Sequence, residues 1–162
     1  SGGTMKKFLL FVITGIVFLF GSQVFADEQQ EALKFFNTYV NAANNYSSEV
    51  LRMYSPEAKI IRQVVKPDGG LVDVETDIDT YLSQMKLGQK GAKLRRYKNT
   101  YTDVQAIKLD NGYKISSLRQ PAGEKYKLKT YMIVQKQPSG KWLITEEMMQ
   151  TKVQTFLKYA KK

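Results

Sequence analysis

The sequence predicts an α+β fold in which N-terminal helices pack on a strongly curved antiparallel sheet. Three observations predict it. Apolar residues recur at helical spacing early, between residues 28 and 44 and again from residue 78. The later chain turns to strand-like runs separated by Asp110-Asn111-Gly112, Pro121-Ala122-Gly123 and Pro138-Ser139-Gly140. Helices first and antiparallel strands afterwards place the helices on one side of the sheet. The 162 residues contain no internal repeat and fit one domain with a real core.

The N-terminus reads as processing sequence. Residues 1–4 precede Met5 and are expected to be a cloning remnant, and residues 5–26 are expected to be a secretory signal. Lys6 and Lys7 supply its charged start, Phe8 to Phe20 its apolar run, and Val24-Phe25-Ala26 its cleavage site. The apolar run has 13 residues, whereas a spanning helix needs about 20. An uncleaved membrane anchor is the alternative. Residues 27–162 are the expected domain, exported to the periplasm or secreted.

Each element follows from local pattern. Ala32, Phe35, Phe36, Tyr39, Val40 and Ala43 form one wide stripe, so a helix is expected from about Glu28 to Asn44. Ser47 or Ser48 can cap a second, shorter helix carrying Val50, Leu51 and Tyr54, which Pro56 closes. Ala58 to Lys66 is a strand, Pro67-Asp68-Gly69-Gly70 a turn, and Leu71 to Glu75 the returning strand. Thr76 or Asp77 caps a third helix, buried through Ile78, Tyr81, Leu82 and Met85 and ending at Gly88. Leu94 to Leu109 and Tyr113 to Arg119 form a hairpin, and Lys125 to Gln137 and Lys141 to Thr151 supply the last strands. Val153, Phe156, Leu157 and Tyr159 add a short closing helix.

Composition removes several function classes. There is no cysteine and no histidine, so the usual ligands of zinc, iron and copper are missing and no thiol or imidazole can act in catalysis. No cofactor and no metal are expected. Setting Lys6 and Lys7 aside leaves 23 basic against 15 acidic side chains, a net +8. That balance favours anionic partners such as lipid head groups, cell-wall polymers or an acidic protein. Export argues against nucleic acid.

Three short motifs occur in order. Tyr54-Ser55-Pro56-Glu57-Ala58, Ile78-x-x-Tyr81-Leu82 and Gly140-x-Trp142-x-Ile144 resemble the second helix–first strand junction, the third helix and the opening of the final strand of the nuclear transport factor two-like (SnoaL-like, cystatin-like cone) superfamily. The resemblance covers most of residues 28–151 and implies a sheet bent into a cone, often dimeric through the sheet, so a homodimer is expected. Enzymes of that superfamily use an Asp–His pair or a lone Asp as base; with no histidine the pair is excluded here.

Carboxylates remain. Strand alternation puts Trp142, Ile144, Glu146 and Met148 on one face of the last strand and Leu143, Thr145, Glu147 and Met149 on the other. If the first set faces the cone, burial raises the pKa of Glu146 and makes it a candidate acid or base, with Asp103 as the second candidate. A one-residue slip in register exchanges the two sets. Beyond the signal segment lie ten tyrosines and three phenylalanines, and tyrosine suits a half-polar cleft. Tyr39, Tyr54, Tyr81, Met85, Tyr101, Tyr131, Met132, Trp142, Glu146 and Met148 are the candidate cleft residues. Lys86, Lys90, Lys93, Arg95, Arg96 and Lys98, within 13 residues free of acids, and Lys125, Lys127 and Lys129 form a candidate face for an anionic partner. A solvated, edge-protecting surface explains the same lysines.

The expected function is therefore an exported, non-enzymatic binding or assembly domain for an amphipathic or anionic small molecule, a lipid, or an envelope protein. Two alternatives stand beside it: a small lyase or isomerase using Glu146 or Asp103 with tyrosine donors, and a structural homodimer or secretion-machine scaffold. A membrane enters only through an uncleaved N-terminal segment.

Overall fold

The computed structural model describes residues 26–162. The expected remnant, and the expected signal segment up to its last residue, lie outside the described residues. Helix α1 occupies residues 26–44. A 3-10 turn, Ser48–Arg52, leads into strands β1 (Tyr54–Val65) and β2 (Leu71–Thr76). Helix α2 (Ile78–Leu94) precedes β3 (Asn99–Leu109), β4 (Gly112–Pro121), β5 (Leu128–Lys136) and β6 (Trp142–Thr151). A second 3-10 segment, Gln154–Tyr159, stands where the closing helix was expected.

The six strands form one sheet in the order β2-β1-β6-β5-β4-β3. Its hairpins are antiparallel, but β1 and β6, the first and last long strands, pair in parallel. The sheet is therefore mixed, with one parallel pair inside it, where an antiparallel one was expected. The helices cover its inner face, and Ala32, Phe36, Tyr39 and Ala42 of α1 bury against Ile60, Ile115, Val134 and Ile144 of the sheet. Gly112, at φ +115° in the β3–β4 hairpin, faces the Val134 carbonyl so closely that a Cβ has no room.

Several boundaries differ from expectation, each for a local reason. Ser47 caps only the 3-10 turn, and Tyr54 opens β1 instead of closing a helix. Pro56 lies within that strand, where the β1–β6 register breaks between Tyr54 and Lys59; at such a bulge a proline's missing N–H is tolerated. Asp77 caps α2 by accepting from Thr80 N at 2.9 Å. Gly88 does not end the helix, which continues two turns to Leu94, so residues 94–98 precede β3 rather than forming its start. A helix interior tolerates a glycine at about 1 kcal/mol.

Both helices end in the same way. After α1, Tyr46 N donates to Ala43 O and Ser47 N to Ala42 O, with Tyr46 at φ +57°. After α2, Arg96 N donates to Lys93 O and Tyr97 N to Ala92 O, with Arg96 at φ +52°. These are Schellman endings with a non-glycine residue in the left-handed position.

The decisive irregularity is in β6. Ile133 pairs with Glu146 and the next residue, Val134, with Ile144, leaving Thr145 as an extra residue. This bulge shifts the inward set by one. Trp142, Ile144 and Glu147 are buried, whereas Glu146 is only half-buried.

Candidate functional site

Register arranges the inward side chains in rows across the sheet. The deepest row joins Ile60, Glu147, Met132 and Ile115. The next joins Arg62, Met149, Thr130 and Ser117. Beyond it, Arg119 lies between Leu128 and Tyr101. The inner surface thus runs from a buried carboxylate outward to two arginines on opposite sides of β6.

Glu147 is 1% exposed. Tyr54 donates its hydroxyl to one carboxylate oxygen at 2.7 Å, and Tyr81 donates to the other at 2.8 Å. Burial raises the Glu147 pKa, and the two phenols together with Arg62 and Arg119 only partly offset that rise. Burial and then the charge of Glu147 raise the pKa values of Tyr39, Tyr54, Tyr81 and Tyr101 well above the usual phenol range. These phenols remain protonated donors. The rings interlock edge to face, Tyr39 on Tyr54 at 6.4 Å and Tyr54 on Tyr81 at 5.7 Å, and Phe36 meets Tyr101 at 5.5 Å.

Outside this layer is a cavity of about 410 Å³ between α1, α2 and the sheet, within the range of small-molecule sites. Tyr39, Val50, Tyr81, Met85, Tyr101 and Met149 supply its apolar wall, and Asn44, Gln89 and Asn99 its amides. Three arginines, Arg62, Arg95 and Arg119, line it, with no acid among its described lining residues. Arg119 is held from two sides: Nη1 donates to Asn99 Oδ1 at 3.1 Å and Nη2 to Gln150 O at 2.8 Å, leaving Nε without a partner. Arg62 donates from Nη1 to Thr76 Oγ1 at 3.2 Å and lies over the Tyr81 and Phe156 rings at 5.2 and 4.5 Å.

The mouth is tied together by amides. Asn44 Nδ2 donates to Asn99 O at 2.9 Å, and Asn99 N donates to Asn44 Oδ1 at 3.0 Å, joining the end of α1 to β3. Gln89 Nε2 donates to Ser47 O at 3.0 Å, joining α2 to the first turn. The left-handed backbone at Tyr46 places that residue on the cavity, with its buried hydroxyl unpartnered.

Of the ten expected cleft residues, four line this cavity: Tyr39, Tyr81, Met85 and Tyr101. Tyr54 is one layer deeper, on Glu147. Trp142 is core, packed on Tyr113 at 6.1 Å. Met132 is core as well and borders, with Tyr131, only a void of about 10 Å³. Glu146 faces away from the cavity because of the bulge, as does Met148, and accepts from the Tyr131 hydroxyl at 2.8 Å. Burial and this bond push the Tyr131 phenol up to about 12.

Asp103 is exposed, in the left-handed region at φ +53°, where the β3–β4 register breaks; it meets no part of the site. The nine cationic candidates are all exposed. Only Arg95 reaches the cavity, and Lys86, Lys90 and Lys93 stand on α2. Lys125 and Lys127 precede β5, so only Lys129 of that trio is in the strand. Glu147 was expected on the opposite face of the last strand, and the one-residue shift at Thr145 brings it inward; Arg62 and Arg119 were not among the candidates. The arginines carried a usable signal: each occupies the inward parity of an apolar strand, Ile60-x-Arg62-x-Val64 and Ile115-x-Ser117-x-Arg119.

No protein-family model matches the chain, and no curated protein matches it. Solved structures share its fold. An NTF2-like protein of unknown function from Pseudomonas putida is 10% identical with a TM-score of 0.60, covering 77% of this chain and 86% of that one. A provisionally assigned ketosteroid isomerase from Shewanella frigidimarina is 17% identical at TM-score 0.54, covering 73% and 93%. Nuclear transport factor 2 from Cryptosporidium parvum is 10% identical at TM-score 0.55, covering 76% and 91%. The chain therefore has the nuclear transport factor two-like α+β fold, and fold alone does not assign an activity.

Proposed function

We propose that this is an exported binding domain whose cavity holds a small amphipathic molecule with an anionic head. The observation that carries the reading is the cavity itself: about 410 Å³, walled by tyrosine and methionine, with three arginines and no acid among its described lining residues. An apolar body fits along Tyr39, Val50, Met85 and Met149, and an anionic head is favoured toward the arginines. The composition of residues 5–26 supports export.

Proton-transfer catalysis is the second reading, favoured by the raised pKa of buried Glu147. Geometry ranks it lower. Both Glu147 oxygens already accept phenols, and the residue lies behind the cavity wall rather than on it. A general base must reach the proton it removes.

Calorimetric titration of the full chain with decanoate and with decanol tests the proposal. Decanoate is expected to bind at one site per chain, at least tenfold tighter than decanol, and Met85→Trp is expected to abolish that site by filling it. Equal affinity for the two probes, or binding unchanged by Met85→Trp, would refute it.

A further inference from the structure

Helix α2 presents two different faces. Tyr81, Met85 and Ala92 wall the cavity on its inner side. Leu87 and Leu94, seven residues and so two turns apart, lie along the opposite line of the helix. They are 83% and 86% exposed, the most exposed large apolar side chains among the described residues. Lys90 falls between them, Lys86 and Lys93 flank one side, and Arg95 flanks the other. Residues 80–102 contain six cations and no acid, and none of the six pairs with an acid among the described residues. A merely solvated lysine face gives no reason for two fully exposed leucines on its midline.

We infer that the outer face of α2 docks on an anionic lipid surface, with the cations at the phosphate head groups and Leu87 and Leu94 dipping into the acyl boundary. Charge complementarity selects the partner, because juxtamembrane cations are drawn to anionic head groups. The leucines select lipid over nucleic acid, and a projecting pair flanked by lysines matches an interfacial helix lying in the membrane plane. Helix α2 then lies flat, with the cavity directly behind it. Apart from Arg95, the docking face shares none of its residues with the cavity lining.

The chain has no cysteine, so single nitroxide labels can be placed without competition. Leu87→Cys and Leu94→Cys report on the helix. Asp110→Cys serves as control, since it follows the far end of β3, about 33 Å along that strand from its start. Full-length chains are mixed with phosphatidylglycerol or phosphatidylcholine vesicles, and label accessibility to oxygen and to a water-soluble nickel chelate is measured. On phosphatidylglycerol the labels at 87 and 94 should lose at least tenfold in nickel accessibility and gain oxygen accessibility, while the label at 110 stays in water. Adding Lys86→Glu, Lys90→Glu and Lys93→Glu should abolish the immersion. An anchor at residues 5–26 alone would hold the chain to the vesicle without immersing either label. Labels at 87 and 94 as wet as the label at 110 would overturn the inference. So would protection that appears without vesicles and grows with protein concentration, which would assign the face to a second copy.

Discussion

Glu146 and Glu147 are neighbours in one strand, yet they occupy different chemical worlds. Glu147 is buried beneath the cavity wall and accepts two phenolic hydroxyls. Glu146 is half-buried on the other face and accepts one, from Tyr131. Composition does not distinguish them. One extra residue in the ladder, Thr145, does. A local backbone irregularity, rather than residue type, decides which of the two carboxylates is buried.

Removing each side chain in turn should separate the two glutamates most. Glu147→Ala leaves two buried phenols without an acceptor, and at roughly 1–3 kcal/mol per unsatisfied group a loss of about 3 kcal/mol is expected. Glu146→Ala should cost under about 1 kcal/mol. Urea unfolding midpoints measure both; equal losses would contradict the assigned strand parity.

The buried member of the pair also carries a pH dependence. The folded state holds the Glu147 proton more tightly than the unfolded chain does, because burial raises its pKa. Its contribution to stability is therefore greatest below the unfolded value, about 4.3, and declines as pH rises from there to the raised folded value. Glu147→Gln should flatten this decline in pH-dependent unfolding; a decline unchanged in that variant would contradict its assignment to Glu147.

The phenols give a smaller contrast. Tyr54→Phe deletes a buried hydrogen bond to a carboxyl and should cost about 1.5 kcal/mol, against about 0.5 kcal/mol for Tyr131→Phe on the outer face. The helix endings give the smallest. Arg96 is an exposed residue at φ +52°, and Arg96→Gly should gain about 0.5–1 kcal/mol by relieving the left-handed conformation. Tyr46→Gly relieves the same strain at the other helix but removes a cavity-lining side chain, so its thermal midpoint should rise less than that of Arg96→Gly.

The fold was legible where local pattern and tertiary context agree. The stripe from Ala32 to Ala43, the Asp110-Asn111-Gly112 turn and the apolar runs of β1 and β5 each match the structure. The length of α2 was not legible, because Gly88 reads as a helix stop while the cavity-facing Gln89 and Ala92 carry no strong apolar signal. Four of the ten candidate cleft residues line the cavity. Tyr39, Tyr81, Met85 and Tyr101 announced themselves as amphipathic residues at inward positions. The parity of β6 did not, because Thr145 is neither glycine nor proline and nothing around it marks a bulge.

Methionine methyl resonances report on the cavity and on the bulged strand together, since the chain places a methionine on each face of that strand. Met85 and Met149 line the cavity, and Met148 faces away from it. In a titration of methyl-labelled protein with decanoate, saturable shifts are expected at Met85 and Met149 and none at Met148. Shifts at Met148 alone, or no saturable shift at Met85 and Met149, would contradict binding in that cavity.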